Sequence, residues 1–526
     1  LATGTPTLGL GVTINTSGIN ISGVATAGIV SATTLYGNGA NITGIALTIA
    51  PLNYNPAVSG VNVNTTNGIG LTFNQGVKAG SGNVTLRIAG AAGTVVENFG
   101  VGNSVTYGDS DYGTTVSINP TADLEEDTVY HLSYPSGAFT NIGGDVSYVG
   151  TAYTFDTHKI VYEMFRWGYG DNGAFANNLP ALNGRRSSPT QIPGTTWRGV
   201  SGTAGVVNVV SVKSDGTLWC WGSNEYGQLG QNNKVAYSSP VQVPGTNWSK
   251  GAAGEGTLSY GIKTDGTMWA WGTNIKGLLG QNQPQNSHCS SPVQVAGTTW
   301  RSVDSGLNHT ITTKTDGTMW LWGSNDEGLL GQNSISNISS PIQLPGTDWS
   351  THHAAQEGSW ALKTDGTFWA WGKNSNGQLG QNQPANSHRS SPVQIPGTWS
   401  SISGSSNANM LSHSSYRSML AIKTDGTLWG MGYNEHANLG QNNKVYYSSP
   451  IQVGTDTTWS SVANGAYSTA AIKTDGTLWN WGNGSNGQLG VNSEVSYSSP
   501  IQVPGTDWNS VYVFSNIHWG VKKIFA

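Results

Sequence analysis

Few side chains in this sequence could do chemistry, and histidine is the first to consider because it ligates metals and titrates near neutral pH. His288 and His388 end two nearly identical segments, QNQPQNSH and QNQPANSH. Two imidazoles on separate segments could share a metal ion only if both segments reached a common axis. Otherwise they are candidate contacts for a ligand or a receptor.

A serine-rich insertion at 403–418 (SGSSNANMLSHSSYRS) is the second candidate site. It makes one internal repeat about ten residues longer than the others, and loops on a rigid scaffold commonly carry binding. His413, Tyr416 and Arg417 could contact a glycan or a protein there. The alternative is a longer surface loop without a ligand.

The other reactive side chains do not form a recognisable catalytic set. His352 and His353 are adjacent and would point in opposite directions in an extended strand, which makes a poor chelate. The acidic segment 123–127 (DLEED) could hold Ca²⁺ or form a solvated loop. Cys220 and Cys289 lack metal-ligand spacing. Without a nucleophile elbow, P-loop or H-E-x-x-H motif, the sequence predicts no enzyme, no cofactor and no metal site.

An internal repeat of about 50 residues positions these candidates. A repeat period of this length indicates a repeat architecture, so the repeat determines the fold prediction. The string TDGT, with close variants, recurs six times, and the sequence SSP seven times, each followed by a G-T-x-W-like element. The aspartates of the string are Asp215, Asp265, Asp316, Asp365, Asp425 and Asp475.

Each repeat predicts four short strands. Asp-Gly between two apolar runs indicates a hairpin, and we expect a type I′ turn. The run Leu218–Gly222 is apolar on both faces, so neighbouring sheets must cover it on both sides. A glycine-rich bend follows at 224–230, and Pro240–Val243 predicts an outer edge strand, where proline is tolerated. Four strands per unit are typical of a β-propeller blade.

The two ends of the repeat region each hold half a unit. Residues 160–197 contain only the second half of a repeat, and residues 508–526 only the first half. Joined, they make a seventh blade in which Val521 and Lys522 align with equivalents in the preceding repeat. Such a ring has no open sheet edge. We therefore predict an all-β fold with a seven-bladed β-propeller over residues 158–526, closed by strands from both ends.

The signature D-G-T-L/M-W-x-W-G-x-N-x-x-G-Q-L-G resembles the regulator of chromosome condensation repeat family over about 370 residues. The resemblance implies a seven-bladed propeller, but fold does not fix function. The founding member of that family is a nuclear exchange factor for a small GTPase that also docks on chromatin. No exchange-site residues can be matched here and no basic tail is seen, so that activity is not transferred.

The first 157 residues differ in character from the repeats. Residues 51–157 contain the patterns INPTADLEEDTVYHL, FTNIGGD and YTFDT in this order. In these patterns they resemble a bacterial Ig-like β-sandwich, which implies a spacer. Residues 1–50 are uncharged and rich in Gly, Thr and Ser, and the segment 22–45 resembles short repeats of phage tail-fibre proteins. We expect residues 1–50 to be a β-rich assembly or attachment segment, which makes the protein a homo-oligomer, with a trimer as the expected state.

The composition excludes several classes of protein. With 21 Trp and 10% charged residues the chain is not a solvated disordered protein, and its net charge of −5 gives no general attraction to nucleic acid. Since no run of about 18 apolar residues is present, we expect no membrane insertion.

These observations favour a virion structural protein of a tailed phage, of the tail-fibre or host-adhesion type, located on the virion or an extracellular surface. The propeller would bind host-surface glycan or protein, and the N-terminal segment would bind other virion proteins. The alternatives are a cellular surface adhesin or surface-layer-associated protein, and an enzyme acting on polysaccharide. The enzyme would need a carboxylate pair in one mouth of the ring.

Overall fold

The structure is a computed structural model, and its contacts divide the chain into two compact units, Leu1–Thr157 and His158–Ala526. It describes residues 12–15, 18–21, 51–63, 68–109, 112–144, 146–148, 152–157, 160–170, 184–202, 208–254, 257–284, 286–402 and 417–525. Within these ranges the regular structure is β-strand, apart from one 3₁₀ turn at Ile275–Gly277. No helix of the described residues has the length and apolar character needed to cross a membrane.

The N-terminal unit begins with a small hairpin in which β1 (Val12–Asn15) pairs with β2 (Gly18–Ile21). The rest of residues 1–50 lies outside the described residues, and so does most of the predicted assembly segment. The remaining strands of this unit are β3 (Pro51–Asn55), β4 (Gly60–Val63), β5 (Ile69–Ala79), β6 (Asn83–Ile88), β7 (Val95–Gly100), β8 (Val105–Asp109), β9 (Tyr112–Ile118), β10 (Val129–Ser133), β11 (Phe139–Asn141) and β12 (Tyr153–Thr157).

These strands form two sheets, ordered β4-β12-β10-β6-β7 and β11-β5-β9-β8, with β3 paired to β5. Alternation along β5 buries Ile69, Leu71 and Phe73, as expected for a strand with one face in a core. Their cluster includes residues of both sheets, so the unit is a β-sandwich. In the acidic segment 123–127, the Glu125 backbone N–H donates to the Tyr130 hydroxyl (2.7 Å), so this loop is tied to the sandwich through its main chain.

The C-terminal unit contains strands β13 to β40. The first fourteen are β13 (Ile160–Gly170), β14 (Gly184–Gln191), β15 (Trp197–Gly202), β16 (Asn208–Lys213), β17 (Leu218–Gly222), β18 (Tyr237–Gln242), β19 (Trp248–Gly254), β20 (Leu258–Lys263), β21 (Met268–Gly272), β22 (Cys289–Val295), β23 (Trp300–Ser305), β24 (His309–Lys314), β25 (Met319–Gly323) and β26 (Ile338–Leu344). The others are β27 (Trp349–Ala354), β28 (Gly358–Lys363), β29 (Phe368–Gly372), β30 (Arg389–Ile395), β31 (Trp399–Ile402), β32 (Ser418–Lys423), β33 (Leu428–Gly432), β34 (Tyr447–Gln452), β35 (Trp459–Asn464), β36 (Ser468–Lys473), β37 (Leu478–Gly482), β38 (Tyr497–Gln502), β39 (Trp508–Phe514) and β40 (Ile517–Phe525).

In the described part of this unit the strands form seven four-stranded antiparallel sheets. Sheet 1 is β39-β40-β13-β14, and sheets 2 to 7 take the remaining strands four at a time in chain order, from β15–β18 to β35–β38. The first strands of neighbouring sheets contact one another from β15 through β39 and back to β15. They therefore line the inside of a closed ring, as in a β-propeller.

Sheet 1 closes the ring because it contains both ends of the unit. Strand β13 pairs with β40 over nine residues, from Ile160↔Phe525 to Gly168↔Ile517. On the side of sheet 7, the Asn492 N–H donates to the Ser187 carbonyl (2.7 Å). The predicted all-β propeller closed by strands from both ends is thereby confirmed.

The Asp-Gly turns differ from the predicted type I′ geometry. In the first of them, Gly216 has a φ of 77° whereas Asp215 keeps a negative φ, and the Gly216 N–H donates to the Lys213 carbonyl (3.1 Å). Asp215 is held because its carboxylate accepts from the Thr217 N–H (3.0 Å) and hydroxyl (2.6 Å), bonds that also lower its pKa. A three-residue hairpin loop with one left-handed glycine forms instead.

The corresponding turn of another sheet also holds a tryptophan side chain in place. In sheet 6 the Thr427 hydroxyl donates to Asp425 (2.6 Å) and accepts from the Trp429 Nε1–H (2.8 Å). We expect Thr427→Val to lower the free energy of unfolding by about 1–2 kcal/mol, because the isosteric valine leaves both groups without this partner. Thr427→Ser is the control and should retain the wild-type value. Urea denaturation followed by tryptophan fluorescence measures the stability of both variants. A Thr427→Val variant as stable as the wild type would show that these two hydrogen bonds do not stabilise the propeller.

Tryptophans also join neighbouring sheets. Trp271 of sheet 3 is fully buried and donates from Nε1 to the Gln228 carbonyl of sheet 2 (2.9 Å). At the end of the second strand, Lys213 places its ammonium 4.5 and 4.2 Å from the ring centroids of Trp197 and Trp219. Equivalent lysines lie over two aromatic rings in the other six sheets. This unit of lysine and aromatic rings is therefore structural.

Candidate binding face

The two ends of the propeller sheets carry different loops. One end holds the Asp-Gly turns between second and third strands. The other end, here called the variable end, holds the loops from first to second and from third to fourth strand. At the variable end one backbone hydrogen bond recurs, from a residue at the end of the third strand or directly after it to the residue before the second. Its donor–acceptor pairs are Tyr169–Asn516, Thr273–Thr257, Ser324–Asn308, Lys373–Glu357, Tyr433–Arg417 and Asn483–Tyr467, at 2.7–3.1 Å.

The side chains on this repeated backbone differ from sheet to sheet, from a pair of threonines to a glutamate–lysine pair and an arginine–tyrosine pair. At the opposite end, sheets 2 to 7 all carry the sequence Lys-Ser/Thr-Asp-Gly-Thr. Since both ends use the same backbone scaffold in each sheet, folding alone does not require the difference. The loops from third to fourth strand at this end do repeat Asn-x-x-Gly-x-Leu-Gly in sheets 2 to 5, but the positions paired by the recurring hydrogen bond differ between sheets, as expected of a binding face built from loops.

An ion network links sheets 5 and 6 at the variable end. Lys373 Nζ lies 2.8 Å from Glu357 Oε1, and Arg417 Nε lies 3.4 Å from Glu357 Oε2. The Glu357 side chain is only 16% exposed, whereas that of Arg417 is 45% exposed. The carboxylate therefore holds an arginine whose guanidinium is still accessible to a partner.

An aromatic group continues the network across sheets 6 and 7. The Tyr433 hydroxyl donates to Glu435 Oε2 (2.5 Å), and the Tyr433 ring lies 5.0 Å from that of Tyr446. His436 packs edge-on against Tyr467 at 4.9 Å. Burial raises the pKa of both the Tyr433 and the Tyr446 phenol and lowers the pKa of His436, so all three are neutral at pH 7.

These side chains together form the polar–aromatic patch, which comprises Glu357, Lys373, Arg417, Tyr433, Glu435, His436, Tyr446 and Tyr467. Tyrosine and arginine are the residues that most often carry binding energy at interfaces. Tyr446 is 43% exposed and Arg417 is accessible, while the carboxylates of Glu357 and Glu435 are engaged by cations and a phenol. The arrangement is suited to contact with a ligand or partner.

Of the residues predicted for the insertion, Arg417 lies in the patch. His413 and Tyr416 lie outside the described residues. Tyr433, Tyr446 and Tyr467 were missed because each looks unremarkable within its own repeat. Comparing the repeats position by position would have distinguished Tyr433 from sheets 2 to 5 and 7, where the same place holds serine, threonine, lysine or asparagine, although Tyr169 occupies it in sheet 1.

His288 and His388 are each held within a separate loop. The Asn274 N–H donates to His288 Nδ1 (3.2 Å), and the Asn374 N–H to His388 Nδ1 (3.0 Å). The outer side of each ring faces the preceding sheet, where His288 contacts Tyr226 and His388 Nε2 lies 3.6 Å from a carboxylate oxygen of Glu327. Both histidines therefore contribute to the contacts between neighbouring sheets. Over the described ranges, no group of three or more His, Cys, Asp and Glu is placed to hold a metal ion.

His352 and His353 are buried in β27 and have separate partners. His352 Nε2 lies 2.8 Å from the Ser302 hydroxyl, and His353 Nδ1 lies 3.1 Å from Asp304 Oδ2. Asp304 also accepts from the Ala354 N–H (2.8 Å). These contacts join sheet 5 to sheet 4.

A closed ring of four-stranded sheets with specialised loops at one end is a β-propeller of the kind that serves as a binding or regulatory module. The chain belongs to the RCC1-like domain family, whose model matches residues 163–521. Residues 45–157 match the bacterial Ig-like domain. The resemblances predicted from the sequence are confirmed for both regions.

Known proteins support the fold assignment. E3 ubiquitin-protein ligase HERC2 of Homo sapiens and of Mus musculus are each 25% identical over 177 residues, which is 33% of this chain and 4% of theirs. The crystal structure of Prp20p from Saccharomyces cerevisiae, studied for its binding to Gsp1p and histones, has a TM-score of 0.60 at 19% identity, covering 69% of this chain and 91% of that chain. Human WBSCR16 gives a TM-score of 0.57 at 18% identity, covering 69% and 100%. At these identities the structures establish a common fold.

Proposed function

We propose that the propeller is the contact module of an adhesion protein and binds a glycan or protein on a host surface through the polar–aromatic patch. The observation that carries this proposal is the variable end, where one repeated backbone hydrogen bond supports six different side-chain pairs. Positions with a purely structural role would repeat their side chains, as the Asp-Gly turns do. The patch adds exposed arginine and tyrosine, both common in binding surfaces.

We place this adhesion protein in the virion of a tailed phage, on its tail fibre or another host-contacting part. In this proposal residues 1–50 attach to other virion proteins as a homotrimer, and the Ig-like domain is a spacer. Support comes from the uncharged composition of residues 1–50, which favours assembly over independent folding, and from the tail-fibre-like segment 22–45. Detection of the chain by mass spectrometry in purified virions is the expected result, and its absence there would contradict this location.

A second candidate is a cellular surface adhesin or surface-layer-associated protein. The match of residues 45–157 to the bacterial Ig-like domain favours it. This alternative predicts the chain in the cell-envelope fraction of a bacterium. Hydrolysis of a surface polysaccharide by the intact chain would instead support the third candidate, an enzyme acting on polysaccharide.

Tyr446→Ala tests the patch with little expected effect on folding. It converts the loop QNNKVYYSSP at 441–450 into QNNKVAYSSP, which is the sequence at 231–240 in sheet 2. We expect unchanged stability but about tenfold weaker binding to surface polysaccharides or cells, the loss typical of an interface tyrosine. Binding of the full chain to an array of bacterial surface polysaccharides and to whole cells measures this.

The matched control is Tyr112→Ala, which removes a tyrosine of similar exposure (46%) from the Ig-like unit. It should bind as the wild type does. Equal binding by wild type and Tyr446→Ala, or equal losses in the two variants, would count against the patch.

A further inference from the structure

A groove between sheets 4 and 5 has a composition that suggests a second ligand. Its volume is about 410 Å³, within the range of small-molecule sites. It shares no residue with the polar–aromatic patch. The residues that line it include Gln332, Asn333, Trp349, Lys363, Trp369 and Pro392.

The aromatic wall of this groove is already positioned for binding. The Trp369 Nε1–H donates to the Thr367 hydroxyl (2.9 Å), and the Trp349 Nε1–H donates to the Pro345 carbonyl (3.2 Å). The two rings lie 6.4 Å apart and nearly perpendicular. Trp349 is buried and Trp369 is half-buried, so Trp369 is the ring that a ligand can reach. A fixed ring loses little freedom when a ligand stacks on it.

The charge of the groove is balanced. Lys363 Nζ lies 3.2 Å from Asp348 Oδ1 and sits 5.3 Å from the Trp369 ring centroid. Its ammonium is therefore compensated, so the pair gives neither an anionic nor a cationic ligand an electrostatic advantage. The other polar side chains of the lining are uncharged, namely the amides of Gln332 and Asn333 and the Ser391 hydroxyl. Gln332 uses one N–H to donate to the Gln343 carbonyl (3.2 Å), which orients the amide.

We propose that this groove binds a neutral pyranose unit of a glycan. A pyranose has one apolar C–H face, which suits the Trp369 ring, and a rim of hydroxyl groups that both donate and accept hydrogen bonds. The amides of Gln332 and Asn333 can do both as well, and the lysine can donate. The inference goes beyond the proposed function, since the groove would bind sugar whatever the patch contacts.

Similar grooves are expected at other junctions between neighbouring sheets. The Gln-Asn pair at the start of the groove and the two tryptophans with their lysine recur at other blade junctions, for example as Gln231-Asn232 with Trp248, Lys263 and Trp269. The junction of sheets 7 and 1 departs from the pattern, with Val491 and Phe165 at the corresponding positions. Weak sites repeated around one ring give avidity for a polysaccharide that repeats the same sugar.

The test is ¹⁹F NMR of the full chain labelled with 5-fluorotryptophan, with the Trp369 signal assigned by its loss in Trp369→Phe. Methyl glycosides of glucose, galactose, mannose, N-acetylglucosamine and fucose are titrated separately. We expect at least one to shift the Trp369 signal saturably and leave the signal of Trp360 unchanged, since Trp360 is fully buried and does not line the groove.

Gln332→Leu should raise the dissociation constant about threefold to tenfold, the effect of one lost hydrogen bond. The dispersed signals of the other tryptophans would show that this variant is folded. Tyr446→Ala should leave the Trp369 shift unchanged, so failure of the patch proposal and failure of this one are separable. The proposal is overturned if no glycoside shifts Trp369, if Trp360 shifts equally, or if folded Gln332→Leu binds like wild type.

Discussion

Acidification from pH 7 to pH 5 should destabilise the propeller steeply, because three fully buried histidines are uncharged in the folded protein. Burial lowers the pKa of His309, His352 and His518 to about 3 each. Each ring uses Nε2 for a short contact with a serine hydroxyl, at 2.7, 2.8 and 2.7 Å respectively. The Asp304 carboxylate favours the charged form of the first two, but burial outweighs it.

The sign of the effect follows from proton binding. An unfolded histidine has a pKa near 6.5, so between pH 6.5 and about 3 the unfolded chain binds protons that the folded chain excludes. Stability is therefore complete above pH 6.5 and falls as the pH drops through this window. Each histidine contributes about 1.4 kcal/mol per pH unit once the pH is well below 6.5, and the three together about 4 kcal/mol per unit.

Urea denaturation at pH 7.5, 6.5, 5.5 and 4.5 measures this loss. All 21 tryptophans lie between Trp167 and Trp519, so tryptophan fluorescence of the full chain reports on the propeller unit. His518→Gln, which cannot titrate, should remove about a third of the slope. A denaturation midpoint that stays constant from pH 7.5 to 4.5 would contradict the assignment of three buried neutral histidines.

Removal of the last strand should abolish the closed ring. A chain ending at Ser515 lacks β40, which pairs with β13 over nine residues and with β39 over six. Trp519, fully buried and 6.0 Å from the Trp221 ring of sheet 2, is lost with it. We expect the truncated chain to lose the cooperative unfolding transition of the propeller and to aggregate, since β13 and β39 become open edges.

Two further variants serve as controls for this truncation. Trp519→Ala keeps the strand but leaves a cavity, and should cost about 3–5 kcal/mol. A chain ending at Lys523 keeps the pairing of Trp519 and should stay folded with a modest loss of stability. A cooperative, wild-type-like transition in the chain ending at Ser515 would show that the ring does not need closure by both ends.

The repeat explains why so much of the fold could be predicted. Asp-Gly hairpins, doubly apolar third strands and half-repeats at the two ends each have a direct physical consequence, and together they require sheets stacked in a closed ring. The predicted turn type was wrong because the Asp215 carboxylate accepts hydrogen bonds from both the backbone N–H and the hydroxyl of Thr217, and these bonds hold the aspartate at negative φ.

The candidate site was predicted less completely. The longer repeat pointed to the insertion and hence to Arg417. Glu357 and Tyr467 belong to other repeats, and they contact Arg417 and His436, respectively, only when sheets 5 to 7 are side by side. Sequence spacing carries no sign of such lateral contacts. The structural role of His288 and His388 could not be predicted, because the backbone amides that donate to their Nδ1 atoms leave no signal in the side-chain sequence.

The proposed function requires that the propeller bind its partner at the variable end. Hydrogen–deuterium exchange of the full chain, with and without the surface polysaccharide that it binds most tightly, tests this claim most directly. We predict slower exchange in peptides that contain 417–418, 433–436, 446 and 467, no change at the Asp-Gly turns, and loss of the protection in Tyr446→Ala. Protection confined to the Asp-Gly turns or to the groove around Trp369, with none at the variable end, would contradict it.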